Sequence, residues 1–160
     1  MNETGSERRF GGKLVLVLLE NKTRPSIRDG RSQWGLERPL IYRPDDFSQT
    51  ITVPAGFVTD LTSVPRWGWV LVPPDGPWVK SAIVHDFLYA TVGTGIWKRH
   101  PPAITRPTPY TRLESDRILR EGMQDLGVGA VVRNIIYAAV RLGGGRSWDY
   151  AKAHRNENMG

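Results

Sequence analysis

Short apolar runs of strand length occupy the first third of the chain. A Leu/Val run covers residues 13–20, and the stretch 21–38, rich in Gly, Arg, Ser and Pro, interrupts it. Two further β-type segments at residues 39–42 and 49–53 flank a turn-forming cluster at 43–48, and this order predicts a hairpin. We therefore expect a small antiparallel sheet that covers the helices behind it.

Helical spacing begins after a turn at Asp75-Gly76-Pro77, since proline is favoured at the first position of a helix. The first main helix is predicted over residues 77–91. The stretch Thr111-Arg112-Leu113-Glu114 is a capping box, in which the Thr and Glu side chains each accept a hydrogen bond from a free backbone N–H. It predicts a second helix that ends near Gly127, a residue suited to a left-handed C-cap.

A third helix is predicted over residues 130–142, with the glycine triplet at 143–145 as its stop. Ser147 is expected to cap a last short helix that runs through Arg155. The side chains of the third helix that are expected to face the core are Val131, Ile135, Ala138, Ala139 and Leu142.

Two segments are predicted to be irregular. Residues 54–67 form a shaped loop in which Thr62 and Ser63 are expected to cap a helix that starts near Pro65. Residues 93–109 are rich in Gly, Pro and Thr and are expected to form a surface loop or short flap.

This order predicts an α+β fold, with a small antiparallel β-rich N-terminal part packed on three to four C-terminal helices. Because 160 residues usually form one domain, we expect a single domain over residues 1–160. Within it, residues 1–10 are predicted to be a frayed tail, residues 11–60 the β-rich part and residues 77–155 the helical part.

The formal net charge of +6 suits an anionic partner such as nucleic acid, a phospholipid surface or an acidic protein patch. The Lys and Arg residues are scattered without a compact run, so no dedicated nucleic-acid arm is predicted. The sequence contains no cysteine, which excludes disulfides and thiolate metal sites. No apolar run is long enough for a transmembrane segment, and residues 1–9 lack the apolar core of a signal peptide.

Candidate chemistry is concentrated in the predicted first helix, at His85-Asp86-Phe87-Leu88-Tyr89. His85 and Tyr89 are four residues apart and share a helix face, and Asp86 lies three residues before Tyr89 on an overlapping face. One turn therefore presents an imidazole, a carboxylate and a phenol. Asp60 is a further candidate, because a carboxylate in an apolar loop needs a partner, and Arg66 is near in sequence.

Several other chemistries fit the sequence poorly. His-Asp metallophosphohydrolases need further histidines around the pair, but the other two histidines are His100 and His154. The same scarcity of ligands counts against zinc. A triad of Ser63, His85 and either Asp116 or Asp60 lacks a nucleophile-elbow sequence. Neither a P-loop nor a dinucleotide fingerprint is present.

A structural interpretation of the His-Asp pair stays open beside the catalytic one. His85 would then donate to a neighbouring carboxylate, and Asp86 would pair with an arginine such as Arg117 or Arg120.

Spaced motifs give the chain a family resemblance. The run from Thr52 to Pro65, the stretch His85-Asp86-Phe87-Leu88-Tyr89, Ser115-Asp116-Arg117 and Arg141-Leu142-Gly143-Gly144 occur in one order. In this order they resemble the bacterial and phage family called domain of unknown function 1353 (DUF1353). The resemblance covers residues 51–148 and implies a phage or prophage protein of unestablished activity. It implies location in the virion or the host cytoplasm, with other virion or tail proteins, or anionic envelope lipid, as partners.

A more local resemblance is to the phospholipase A2 superfamily, whose first long helix carries His-Asp-x-x-Tyr and whose antiparallel partner helix supplies another Asp. The matching residues are His85, Asp86, Tyr89 and Asp116. The resemblance implies that His85 is the general base that activates water, and that Asp116 and Tyr89 orient it. It implies calcium as a cofactor, with Asp86 as a ligand.

The chain departs from that superfamily in two respects. It has neither the usual glycine-rich calcium loop nor any cysteine to tie the helices together. Asp60, or the carbonyls of its loop, could supply substitute oxygen ligands for calcium.

Two functions follow as hypotheses. One is a hydrolase that acts on phospholipid or another envelope component through a water activated at His85, and it requires an open pocket that reaches His85. The other is a virion or tail-associated interaction protein, in which His85, Asp86, Tyr89 and Asp116 form a buried polar lock and all four are sealed and mutually bonded.

Overall fold

Six short strands form two three-stranded antiparallel sheets in the computed structural model, which describes residues 9–19, 33–44, 48–59 and 76–155. In chain order the strands are β1 (Phe10–Gly11), β2 (Leu16–Leu19), β3 (Gln33–Leu36), β4 (Leu40–Tyr42), β5 (Ile51–Val53) and β6 (Val58–Thr59). One sheet has the order β1-β4-β5 and the other the order β2-β3-β6. The predicted antiparallel β-rich part is confirmed.

The predicted hairpin is strands β4 and β5, with Leu40 opposite Val53 and Tyr42 opposite Ile51. These four side chains are buried, whereas Ile41 and Thr52 between them are only partly so. This period of two is the pattern of a sheet with one face on the core.

Strand β3 lies inside the stretch that the sequence predicted as a break, and that prediction is wrong at residues 33–36. Its sequence, Gln-Trp-Gly-Leu, contains no β-branched residue, so local propensity did not reveal it. Its partners are β2 and β6, and β6 is distant in the chain. Pairing with those strands makes residues 33–36 a strand.

Arg9 and Phe10, which were predicted to end the frayed N-terminal tail, contact the folded part of the chain. Phe10 belongs to β1 and is buried in the core at 4% exposure. Arg9 donates a 2.8 Å hydrogen bond to Glu121. Residues 1–8 lie outside the described ranges.

Four helices follow in the described part of the chain: α1 (Val79–Ala90), α2 (Arg112–Asp125), α3 (Ala130–Gly143) and α4 (Gly145–Ala153). The α+β fold class is therefore confirmed. None of these helices is long and apolar enough to cross a membrane. The helix predicted near Pro65, with Thr62 and Ser63, lies outside the described residues.

The capping box of α2 forms as predicted. The Thr111 side chain accepts from the Glu114 backbone N–H at 3.2 Å, and the Glu114 carboxylate accepts from the Thr111 N–H at 2.7 Å. Past the other end, Gly127 has φ +75°, and the Gly127 and Val128 N–H groups donate to the carbonyls of Gln124 and Met123. This bond pattern is the Schellman motif, so both predicted ends of the helix are confirmed.

The predicted core face of α3 is partly wrong. Val131 is 74% exposed and Leu142 86%, whereas Ile136, Ala139 and Val140 are buried. Because the apolar face of α3 is wide, periodicity alone did not select the part of it that is buried. Packing against α2 selects it.

Helix α4 begins at Gly145 and not after Ser147, because Gly144 takes the N-cap position without a side-chain hydrogen bond. Ser147 therefore lies in the first turn of the helix.

The segment 93–109 is irregular and mostly exposed, as predicted for a surface loop, but a few of its residues pack into the core. Trp97 and Ala103 are buried at 7% and 8% exposure, and the Ala103 carbonyl accepts from the Thr52 N–H at 2.7 Å. The segment is thus a surface loop whose inner residues also bond to strand β5 of the first sheet.

Candidate functional site

Helices α1 and α2 approach each other closely. A Cβ added at Gly122 of α2 would lie 2.8 Å from Cβ of Ser81 in α1. Further along the pair, His85 of α1 meets Asp116 of α2. Since the numbers rise in one helix as they fall in the other, the helices are antiparallel, and glycine permits the close approach.

Asp116 is the centre of the site. One of its carboxylate oxygens, Oδ1, lies 2.9 Å from His85 Nε2 and accepts a 2.6 Å hydrogen bond from the Tyr89 hydroxyl. The other, Oδ2, accepts a 2.6 Å bond from Arg141 Nη1. Asp116 itself is 0% exposed. The structure therefore brings together the three residues His85, Tyr89 and Asp116 that the sequence singled out.

These contacts determine which nitrogen of His85 carries the proton. An ionised carboxylate is only an acceptor, so Nε2 donates to Asp116, and in the neutral imidazole Nδ1 is left with a lone pair. Nδ1 is buried and has no hydrogen-bond partner among the described residues. The carboxylate of Asp86 is 3.9 Å from it, beyond hydrogen-bond length.

Asp116 and His85 shift each other's pKa in opposite directions. Burial raises the pKa of Asp116, but hydrogen bonds from His85, Tyr89 and Arg141 outweigh it and hold the pKa below its usual value. For His85, burial lowers the pKa, but the bond to Asp116 and the neighbouring Asp86 carboxylate outweigh it and raise the pKa. The pair thus favours an imidazolium beside a carboxylate.

Tyr89 is held between the site and the end of α3. Burial and its bond to Asp116 raise the pKa of its phenol, so the hydroxyl stays protonated and donates. Its ring contacts His85 at 4.2 Å between centroids and Trp148 at 5.0 Å. A Cβ at Gly144 would lie 2.6 Å from the Tyr89 hydroxyl oxygen, so only glycine fits at this position without a shift.

Asp86 lies at the edge of this cluster. Its Oδ2 accepts a 2.6 Å hydrogen bond from the Thr59 hydroxyl, and its side chain is 20% exposed. The arginines proposed as its partners lie elsewhere: Arg117 is exposed, and the Arg120 guanidinium lies over the Tyr137 ring.

The described residues do not form a calcium cage. Over the ranges that the structure describes, no three His, Asp or Glu side chains converge in a way that would hold a metal ion. Calcium takes six to eight oxygen ligands, and Asp86 is one carboxylate. The other candidate ligand, Asp60, lies outside the described residues.

Four residues in or beside the site were not singled out by the sequence: Thr59, Arg141, Gly144 and Arg112, whose charge acts to lower the pKa of Tyr89. Three of them, Thr59, Arg141 and Gly144, lie in the spaced motifs, which is the signal that could have found them. Arg112 lies inside the capping box, and that motif already accounted for this stretch of the sequence.

The cluster is largely closed to solvent. His85 is 3% exposed and Tyr89 8%, and both bond to Asp116. Three of the four residues of the predicted lock are thus sealed and bonded together, whereas Asp86 is partly exposed and bonds to Thr59.

Comparisons with known proteins identify a family. The sequence profile described as "Protein of unknown function (DUF1353)" matches residues 34–140, which include α1, α2 and most of α3. Searches of curated proteins and of solved structures found no match. The profile covers more than half of the chain and includes His85, Asp86, Tyr89 and Asp116. The chain therefore belongs to the DUF1353 family.

Proposed function

We propose that this protein is a hydrolase in which His85 activates a water molecule, with phospholipid or another cell-envelope component as the substrate. The observation that carries the proposal is the arrangement of the imidazole. Asp116 binds Nε2, and the lone pair of Nδ1 is left without a partner among the described residues. A general base needs this arrangement, namely one oriented nitrogen and one available nitrogen.

The reaction would proceed in two steps. In the first, Nδ1 takes a proton from water as the water oxygen bonds to the ester carbonyl carbon, and Asp116 stabilises the imidazolium. In the second, the tetrahedral intermediate collapses, the bond to the alkoxide oxygen breaks, and Nδ1 returns the proton to that oxygen. The products are a carboxylic acid and an alcohol.

Tyr89 and Arg141 serve as positioning residues in this scheme. Their hydrogen bonds to Asp116 keep its carboxylate ionised and fix its direction toward His85. Second partners of this kind fix the tautomer and the ring orientation of a functional histidine. In the phospholipase A2 resemblance Asp86 binds calcium, which would polarise the substrate carbonyl.

Burial of the cluster favours a second candidate function. With His85 3% exposed, a reactant reaches Nδ1 only after the groups that cover it move. A buried lock in a virion or tail-associated interaction protein needs no such opening. The two functions differ in whether His85 is needed for turnover or only for folding.

Release of fatty acid from vesicles of bacterial envelope lipids, with and without added calcium, separates the two candidates. The wild-type chain is expected to release fatty acid, and His85→Asn to lose at least about a hundredfold in rate, since general bases contribute about 10²–10⁴-fold. The matched control is His100→Asn, because His100 is exposed and stacks on Trp97. Equal release by the wild type and His85→Asn would contradict the hydrolase. No release by the wild type, with a stability loss in His85→Asn, would favour the lock.

A further inference from the structure

A partly buried guanidinium, that of Arg112, lies beside the His85 cluster and has no role in the proposed proton transfer. Arg112 is the first residue of α2, and its Nη2 donates to the Arg141 carbonyl at 3.4 Å. Its Nη1 is buried without a hydrogen-bond partner among the described residues. A Cβ at Gly145 would lie 3.5 Å from this Nη1, which places it at the start of α4.

Two nearby helix ends disfavour the positive charge of Arg112. Helix N-termini carry positive partial charge, and Arg112 lies at the N-termini of both α2 and α4. The N-cap of α4, Gly144, offers no side-chain oxygen to its free N–H groups. The Arg141 carbonyl, in the last turn of α3, accepts a hydrogen bond from Nη2 of Arg112. Nη1 has no acceptor among the described residues.

A second guanidinium adjoins the same place. Arg141 uses Nη1 to bond Asp116, its side chain is 31% exposed, and its guanidinium carries further donors besides Nη1. Tyr89 lies between the two arginines and donates a hydrogen bond to Asp116. Burial raises the pKa of its phenol, and the charge of Arg112 acts to lower it. The positive groups near Tyr89, namely Arg112, Arg141 and the His85 imidazolium, thus outnumber the carboxylates of Asp116 and Asp86 among the described residues.

We propose that Arg112, together with Arg141 and the N-terminus of α4 at Gly145, binds a phosphate oxyanion. A phosphate has enough acceptor oxygens to take Nη1 of Arg112, the free donors of Arg141 and the first-turn N–H groups at once. Its negative charge offsets Arg112 and the two helix N-termini, since Asp116 already pairs with Arg141. This inference rests on the proposed function and assigns its substrate class, an ester that carries a phosphate group close to the hydrolysed bond.

Phosphate binding is measured without reference to catalysis. Inorganic phosphate titrated into the full chain is expected to perturb the Gly145 amide resonance in a saturable way and to raise the melting temperature. Arg112→Gln should weaken the affinity at least about tenfold, since hydrogen bonds to charged groups are strong. The control is Arg117→Gln, the same charge change at an exposed position of α2, and it should stay within about twofold of the wild type. Arg112→Lys retains the positive charge but lacks the planar, forked guanidinium, and it is expected to bind phosphate with intermediate affinity.

The source of the phosphate is identified by comparing a short-chain phosphatidylglycerol with the matching diacylglycerol. With a headgroup as the ligand, Arg112→Gln lowers kcat/KM for the phosphatidylglycerol by a larger factor than kcat/KM for the diacylglycerol, and the difference appears in KM. With free phosphate as the ligand, inorganic phosphate binds and Arg112→Gln does not change the ratio of the two substrates, which would overturn the substrate assignment.

The absence of saturable phosphate binding by the wild type, or equal affinity in Arg112→Gln, would overturn the site. Phosphate binding without any hydrolysis would instead contradict the proposed function and leave the anion site in place. Where Arg112→Gln does not fold, the Gly145 resonance of the wild-type chain still decides whether phosphate binds there.

Discussion

The protonation state of His85 decides when the proposed reaction can run. Only neutral imidazole accepts a proton from water, and the hydrogen bond to Asp116 raises the pKa of His85 in spite of burial, which acts to lower it. The ordinary value is 6.5. His85 therefore loses its proton and becomes a base at a higher pH than a free histidine does.

We predict that kcat/KM for ester hydrolysis rises with pH, with a midpoint above 6.5. In Asp116→Asn the midpoint should fall, since the charge that favours the imidazolium is gone. The measurement is a pH–rate profile of both proteins, accompanied by NMR titration of the His85 ring. Asp149→Asn, an exposed carboxylate on α4, serves as the control and should keep the wild-type midpoint. A midpoint unchanged by Asp116→Asn would contradict the coupling of the two residues.

At the scale of elements, the junction of α3 and α4 supports the site through a residue with no side chain. Gly144 lies between the two helices and against Tyr89, and no Cβ fits there. Its neighbour Gly143 has open space around the position of a Cβ. The two glycines are thus a matched pair that differs in contact with the site.

We predict that Gly144→Ala lowers the free energy of unfolding by about 1–3 kcal/mol, the usual cost of overpacking, and displaces the Tyr89 hydroxyl from Asp116. Gly143→Ala should leave stability unchanged or raise it by up to about 1 kcal/mol, because alanine is the better helix residue. Urea unfolding and the Tyr89 resonances measure both effects. Equal stability of the two variants would show that the Gly144–Tyr89 approach imposes no constraint.

The capping box and the Schellman motif set the limits of α2 and so decide where along the helix Asp116 lies. Close packing at Gly122 then places this carboxylate opposite His85. Local signals and one small residue together position the central group of the site.

For the molecule as a whole, Asp116 links three helices. It belongs to α2, accepts from His85 and Tyr89 of α1, and accepts from Arg141 of α3. A second polar link joins the first sheet to α2, where the one proton of the buried Tyr42 hydroxyl is shared between Glu121 and Asp125, each at 3.1 Å. Buried polar links of this kind connect elements that the apolar core alone would let slide.

We predict that Asp116→Asn lowers the free energy of unfolding by about 3–5 kcal/mol, because the arginine and the histidine lose a buried partner. The loss should vary with pH in a defined way. Asp116 has a lowered pKa, so its contribution is present above its ordinary value of 3.8 and is lost as the pH falls through the folded value. The pKa of His85 is raised, so its contribution is present below 6.5 and is lost as the pH rises through the folded value.

The stability difference between the wild type and Asp116→Asn should therefore be largest between 3.8 and 6.5. Above this window it should shrink without vanishing, since Tyr89 and Arg141 still donate to Asp116. Urea unfolding across this pH range tests the prediction, with Asp149→Asn as the control. A difference that grows steadily above neutral pH would contradict the assigned shifts.

Sequence patterns anticipated those parts of the site that depend on short separations. His85 and Tyr89 share a helix face because they are four residues apart, and Asp116 was expected near them from the resemblance to an antiparallel helix pair. Arg141 and Arg112 were not assigned to the site, although one lies in a spaced motif and the other in the capping box. Their contacts with the cluster depend on how α3 ends against α2, which no local spacing encodes.

The sequence by itself determined the hairpin of β4 and β5, the two ends of α2 and the helical turn with His85, because interactions between residues a few positions apart stabilise each of them. Only the tertiary structure decided that residues 33–36 are a strand, which face of α3 is buried, and that Arg141, Arg112 and Gly144 surround Tyr89. These features depend on contacts between distant parts of the chain, whose free energy exists only once the helices and sheets have packed.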